Sequence, residues 1–173
     1  MRLSGITQES IVDGPGLRFV LFAQGCPHQC PHCHNPESWT MDGGKAFSVK
    51  EIIRMLKRQK GIKRGITFSG GEPFLQSAEF VEVAVAARHM GLDVVTYTGF
   101  TYEQLIKDKD SNRRALLSVS NILIDGRYIH KLRDINLQFC GSSNQRVIDV
   151  EDTQKYGEII LWSGKKPMSA FSA

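Results

Sequence analysis

The sequence predicts an α/β protein: a partial, open (β/α) barrel with a mostly parallel sheet, built as a single domain over residues 1–173. Three observations carry that prediction. Short β-rich runs alternate with segments of helical periodicity, the pattern of a parallel sheet with right-handed crossovers. Each unusual motif lies directly after one of those runs, where α/β folds place their ligands. The 173 residues are too few for eight β/α units of ordinary size, so the barrel stays open.

The first expected strand is the apolar run 17–23, followed at once by Gln24, Gly25 and a cysteine-rich loop. Ser48 and Glu51 form a capping box, and Val49, Ile52, Ile53 and Leu56 follow at helical spacing, which predicts a helix over 49–60. A second strand over 65–69 ends in Gly70-Gly71-Glu72-Pro73. Ser77 is then placed to cap a helix burying Phe80, Val81, Ala84, Val85 and Ala87, which Gly91 stops. Residues 93–98 read as a third strand, Thr101 with Gln104 as a capping box for a short helix, and 121–125 as a fourth strand ended by Gly126. Beyond about residue 127 the pattern weakens; 158–162 offers one more strand, and the tail 165–173 is expected to fray. If the strands are parallel, the loops 26–33, 70–73, 98–99 and 125–126 converge at one end of the sheet.

Composition sets the broad class. With 41% hydrophobic and 23% charged residues the chain has the make-up of a globular domain with a real core. No apolar run approaches the length that spans a bilayer, and the N-terminus lacks the pattern of a secretory signal, so the expectation is a cytoplasmic protein without a membrane partner. The net charge of +4 is modest, though Lys50, Arg54, Lys57, Arg58, Lys60, Lys63 and Arg64 crowd one segment. That segment reads as a solvated helix face; no aromatic side chains interleave to stack bases, which argues against nucleic acid.

Three of the four cysteines fall within eight residues, as Cys26-Pro27-His28-Gln29-Cys30-Pro31-His32-Cys33, with Cys140 far away. A disulfide framework would disperse them, so the cluster points to a metal site in a reducing compartment. Zinc in a structural site takes four protein ligands, commonly as two close pairs, and no second pair occurs; His34 or Cys140 remains available as a fourth ligand. A [4Fe-4S] cubane held by three cysteines instead leaves one iron open to a small molecule, unlike the four-cysteine ferredoxin arrangement suited to electron transfer alone. The spacing favours the cluster.

Cys26-x-x-x-Cys30-x-x-Cys33 followed by Gly70-Gly71-Glu72-Pro73 resembles the radical S-adenosylmethionine superfamily. Further stretches are similar to the glycyl-radical-enzyme activating enzymes, in particular those serving anaerobic ribonucleoside-triphosphate reductase: Asp13-Gly14-Pro15-Gly16-Leu17-Arg18, Tyr97-Thr98-Gly99-Phe100, Ile124-Asp125-Gly126-Arg127 and Gly141-Ser142-Ser143-Asn144-Gln145-Arg146. The resemblance implies the barrel typical of that superfamily, with Cys26, Cys30 and Cys33 as metal ligands and catalytic centre. It implies S-adenosyl-L-methionine chelated to the unique iron by its amino and carboxylate groups.

The same resemblance implies cofactor contacts from His32, Cys33, His34, Gly70, Gly71 and Glu72. The two glycines are read as letting backbone approach the methionyl ammonium. Glu72 either complements charge or fixes the turn. His32 stands where many relatives carry another aromatic ring, and Cys140 where arginine is common; Cys140 reads as a passive buried thiol, with a fourth thiolate near the cluster as the alternative. The implied activity is reductive cleavage of S-adenosylmethionine and abstraction of hydrogen from a glycine Cα of the reductase's glycyl radical subunit, with an electron donor such as flavodoxin or ferredoxin. A radical enzyme acting on a small metabolite, and a non-catalytic zinc or electron-transfer module, are the competing readings.

Overall fold

A computed structural model describes residues 1–58 and 64–164. The strands are β1 (Arg2–Ser10), β2 (Arg18–Ala23), β3 (Lys45–Ala46), β4 (Gly65–Gly70), β5 (Asp93–Tyr97), β6 (Ile122–Asp125) and β7 (Arg146–Asp149). They form one open sheet in the order β3-β1-β2-β4-β5-β6-β7. The pairs β2/β4, β4/β5 and β5/β6 are parallel, and the outer strands are added antiparallel on both sides. The α/β class and the open, mostly parallel sheet expected from the sequence therefore hold.

Strand alternation gives the sheet two chemically different faces. Phe19, Leu21, Ile66, Phe68, Val94, Leu123 and Ile148 point to the side covered by α1 (Val49–Arg58), α2 (Ser77–His89), α3 (Tyr102–Ile106), α4 (Ser111–Val119) and α5 (Val150–Tyr156), where they meet Ile52, Leu56, Phe80, Val83, Leu116 and Val150 in the main core. Burial of each such side chain is worth about 1.5–3 kcal/mol, so this face is the principal source of stability. On the other face Val95, Ile122 and Ile124 make a smaller cluster with Tyr97, Phe139, Val147 and Trp162.

The segment joining β1 to β2 crosses that inner face. Arg18 is fully buried there, its guanidinium 2.6 Å from an Asp93 oxygen and donating to Thr67 Oγ1, Pro15 O and Ile66 O, while the Thr67 hydroxyl donates to Asp13 O. A buried guanidinium is tolerable because its donors are paired with a carboxylate and carbonyls. This plug fills the N-terminal half of the concave face and leaves the C-terminal half open.

Local details correct several sequence expectations. The helix predicted over 49–60 is Val49–Arg58, its capping box intact, and residues 59, 60 and the rest of 59–63, with Lys60 and Lys63 of the basic segment, lie outside the described residues. Ser77 does not cap α2: a 3-10 turn, Pro73–Gln76, precedes it and makes Ser77 the first α-helical residue. On α2, Val83 is buried while Val81 and Val85 are only half-buried. The capping box at Thr101 and Gln104 forms as expected. The run 158–162 forms no strand but lies along the outer side of β7, through the isolated bridge Ile148 to Leu161 and backbone bonds from Asp149 N–H to Ile160 O and Trp162 N–H to Val147 O. Strand β1 and helices α4 and α5 had no counterpart in the sequence reading, and the tail 165–173 is outside the described residues. No helix among the described residues is long and apolar enough to cross a membrane.

Candidate active site

The loops after β2, β4, β5 and β6 meet as expected around a cavity of about 570 Å³ at the carboxyl ends of the strands. Cys26, Cys30 and Cys33 line it together with Gly70 and Gly71, Thr98 and Gly99, Gly126 and Tyr128. Convergence follows from topology: in parallel strands every C-terminal loop emerges on the same side.

The cysteine loop is wound tightly and tied down at both ends. Gly25 N–H donates to Ser38 O at 2.8 Å and Cys26 N–H to Trp39 O at 3.1 Å, while the Gln24 amide reaches Thr40 O at 2.6 Å. Within the loop Cys33 N–H donates to Cys30 O, and Gln29 and His32 adopt positive φ (44° and 60°) to make the turns. Each sulfur faces backbone donors: His28 and Gln29 N–H at Cys26, Tyr128 N–H at Cys30, and Asn35 N–H at 3.4 Å from Cys33. Burial pushes the Cys26 and Cys30 thiols above their ordinary range, so metal binding has to displace their protons.

These features fit an iron–sulfur cluster. Hydrogen bonds to sulfur are one of the means by which proteins tune such clusters. Among the described residues no three His, Cys, Asp or Glu side chains approach closely enough to share one metal ion, so neither His34 nor Cys140 completes a four-ligand zinc site. Thiols that each serve a separate iron of a cubane need no such closeness. Cys140 does line the cavity; burial, with Asp125 nearby, raises its thiol to about 11.

The Gly-Gly-Glu-Pro turn also packs tightly against the protein itself. Gly70 sits at φ +91°, and a Cβ there would meet Phe22 and Ala23 backbone at 2.7 Å; a Cβ on Gly71 would overlap the Gly25 carbonyl. Gly71 N–H donates to Ala23 O and Glu72 N–H to Gly25 O, both at 2.8 Å. The glycines are thus required by contact of this turn with the start of the cysteine loop, although both still line the cavity.

Glu72 is fully buried and does not line the cavity. Its oxygens accept from Phe74 N–H (3.1 Å), Gly99 N–H (2.9 Å), the Thr98 hydroxyl (3.0 Å) and His28 Nε2 (2.9 Å). Of the two roles open for Glu72 in the sequence, fixing the turn is the one its contacts describe. One carboxylate staples the loops that follow β2, β4 and β5.

His32 is exposed and stands outside the cavity lining, its ring stacked on His130 at 4.1 Å between centroids. His34 is at the wall, 5.4 Å from the Tyr128 ring. Sequence reasoning missed His28, whose side chain is 4% exposed, and the only hint of it was its place two residues after Cys26.

An open α/β sheet thus brings three thiols of one loop, with Cys140 across the same recess, to the carboxyl ends of its strands. Residues 12–148 match the model of the 4Fe-4S single cluster domain. The anaerobic ribonucleoside-triphosphate reductase-activating proteins of Salmonella typhi and Escherichia coli K12 are 33% and 32% identical over 144 and 145 residues, 79% of this chain and 91% of theirs. The pyruvate formate-lyase-activating enzyme of Clostridium pasteurianum is 35% identical over 133 residues, 72% of this chain but 55% of its own length, so the chain spans about half of that relative. The solved structure of QueE from Escherichia coli aligns with 72% of this chain and 69% of its own at 15% identity and a TM-score of 0.48, a likeness too distant to bear on chemistry. The chain belongs to the 4Fe-4S single cluster domain family and, within it, to the radical S-adenosylmethionine activating enzymes. Its cofactors are accordingly a [4Fe-4S] cluster and S-adenosyl-L-methionine.

Proposed function

We propose that this chain activates an anaerobic ribonucleoside-triphosphate reductase by generating a glycyl radical on its glycyl radical subunit. The observation that carries the proposal is the cavity itself: three thiols and the ends of four strands meet in one open recess, in a chain that spans 91% of activating proteins bearing that name. Cys26, Cys30 and Cys33 are the thiolates that hold the cluster. The backbone of Gly70 and Gly71 and the wall at His34 and Cys33 border the space for S-adenosylmethionine. Glu72 acts at one remove by fixing the loops, and exposed His32 offers the cofactor nothing beyond its backbone.

When bound and reduced, the cluster supplies the electron that breaks the cofactor's carbon–sulfur bond and yields the hydrogen-abstracting adenosyl radical. The protein positions both groups and excludes competing reactions. The recess is open on the side away from the plug at Asp13 and Arg18, so a docked polypeptide segment closes it against water. An electron donor such as flavodoxin or ferredoxin would supply the reducing electron, and the cytoplasm is the compartment that would keep the thiols reduced.

The test is anaerobic incubation of cluster-loaded protein with reductant, S-adenosylmethionine and the matching reductase. A glycine-centred radical should appear on the reductase as an electron paramagnetic resonance doublet, and deuterating the target glycine should collapse the doublet and carry deuterium into 5′-deoxyadenosine. Deoxyadenosine formed while the reductase stays radical-free, and formed faster with a low-molecular-weight extract, would make a small metabolite the substrate instead.

A further inference from the structure

Strand alternation gives the recess a floor as well as a rim. Phe22 of β2 pairs with Ser69 of β4, and Tyr97 of β5 pairs with Ile124 of β6, each one step beyond the pairing that links Phe68 to Thr96, so these side chains form the last layer of the inner face. Phe22, Ser69 and Tyr97 all line the recess. The layer beneath holds Val20, Thr67 and Val95, where the plug is tied down by the bonds of Arg18 and Asp13 to Thr67. The cysteine loop and Gly71 begin only after their strands have ended. Thiols therefore stand at the rim. The floor below them is walled by Val12 and Asp13 of the β1–β2 segment and by Phe139 and Cys140 of the β6–β7 connection.

Two hydroxyls on this floor, those of Ser69 and Tyr97, have no hydrogen-bond partner among the described residues, and neither is one of the buried unpaired polar atoms, so both are open to the recess. A serine hydroxyl can turn back to nearby backbone, which the phenol cannot. The Tyr97 ring is fixed by packing with Val95, Ile122 and Ile124 beside Phe139. Burial, with the Asp13 carboxylate and the Cys140 thiol nearby, pushes the phenol above its ordinary value, so it stays protonated and is a donor. A lone donor between apolar walls matches a backbone carbonyl, because a polypeptide segment entering there leaves water and its carbonyls need partners. Glycine suits the place, since backbone without a Cβ can lie close to the floor. We propose that the Tyr97 hydroxyl donates a hydrogen bond to a backbone carbonyl of the reductase segment that carries the target glycine, making Tyr97 a substrate-binding residue. This rests on the reading of the chain as an activator of that reductase.

The experiment is calorimetric titration of cluster-loaded protein, saturated with S-adenosylhomocysteine, with the glycyl radical subunit of the matching reductase. Tyr97→Phe removes only the hydroxyl, and because that group has no protein partner to lose, the variant should melt at the temperature of the wild type. It should bind the subunit about fivefold more weakly, the loss expected for one hydrogen bond, while its affinity for S-adenosylhomocysteine stays that of the wild type.

Equal affinity of wild type and Tyr97→Phe for the subunit overturns the proposal. So does a comparable loss of affinity for S-adenosylhomocysteine, which would assign the hydroxyl to the cofactor. If Tyr97→Phe fails to retain the cluster, the deciding measurement moves to protein of wild-type sequence carrying 3-fluorotyrosine, where a Tyr97 fluorine resonance unmoved by the subunit overturns the proposal. A wild-type protein that neither binds the subunit nor forms a radical on it would instead overturn the functional reading on which the proposal rests.

Discussion

Replacing Glu72 with glutamine tests whether one buried carboxylate holds the site together. Oε2 accepts from His28 Nε2 and Gly99 N–H, Oε1 accepts from Phe74 N–H, and the Thr98 hydroxyl reaches both. The least costly amide orientation keeps oxygen at the Oε2 position, because Thr98 can rotate to accept from an amide nitrogen at Oε1 whereas the backbone cannot. Phe74 N–H then faces another donor in a dry environment, a cost of about 1–3 kcal/mol. The bonds from His28 and Gly99 lose charge assistance, about 1 kcal/mol each, while the relief of burying a neutral group offsets part of the sum. The expected net destabilisation is about 3 kcal/mol. With a urea dependence of about 2 kcal/mol per molar, the unfolding midpoint of the metal-free protein falls by about 1.5 M. Hydrogen exchange at the Gly99 and Phe74 amides should accelerate with it. Glu72→Ala strands every donor and should exceed the margin of a domain this size, leaving no folded protein to titrate. A Glu72→Gln midpoint within about 0.3 M of wild type, with both amides still protected, would refute the argument.

Three further outcomes follow from the same geometry. Cys26→Ala, Cys30→Ala and Cys33→Ala should each abolish S-adenosylmethionine cleavage, measured as 5′-deoxyadenosine, whereas Cys140→Ala should keep the cubane signal and the cleavage; loss of iron in the Cys140 variant would show a fourth ligand. Gly71→Val should impair cluster assembly as well as cofactor binding, because its Cβ meets the Gly25 carbonyl next to Cys26, so a fully loaded cluster with only weakened binding would return the glycine to a purely cofactor-facing role. The Cys140 thiol, held at about 11 mainly by burial, should react with iodoacetamide at pH 8 about a hundredfold more slowly in the folded protein than in urea, from its smaller thiolate fraction. Because that folded value is raised, the same thiol costs stability as pH climbs above its ordinary value of 9.0 toward 11, and Cys140→Ser should remove this part of the alkaline loss.

The amino-acid sequence by itself determined what depends on near neighbours. The spacing of Cys26, Cys30 and Cys33 implied an open cluster, because ligand number is a property of a few adjacent residues. The capping boxes at Ser48 and Thr101 formed because their donors and acceptors lie three residues apart. The apolar central strands could be read because both their faces are buried. Strand β1 could not: only two of its nine residues are buried, and its place comes from antiparallel pairing with β2 and β3 across two irregularities of register. Helix α4 packs through the adjacent residues Leu116 and Leu117, too few for a period, and β7 takes its place by antiparallel pairing with β6, a partner more than twenty residues earlier in the chain.

Within the site the division is the same. That Glu72 meets His28, Thr98 and Gly99 was decided by tertiary structure alone, since those residues are 26 to 44 positions away in the chain and meet only when three parallel strands bring their ends together. Sequence records which groups are available to a site, and hydrogen bonds between distant loops decide which of them remain free to act.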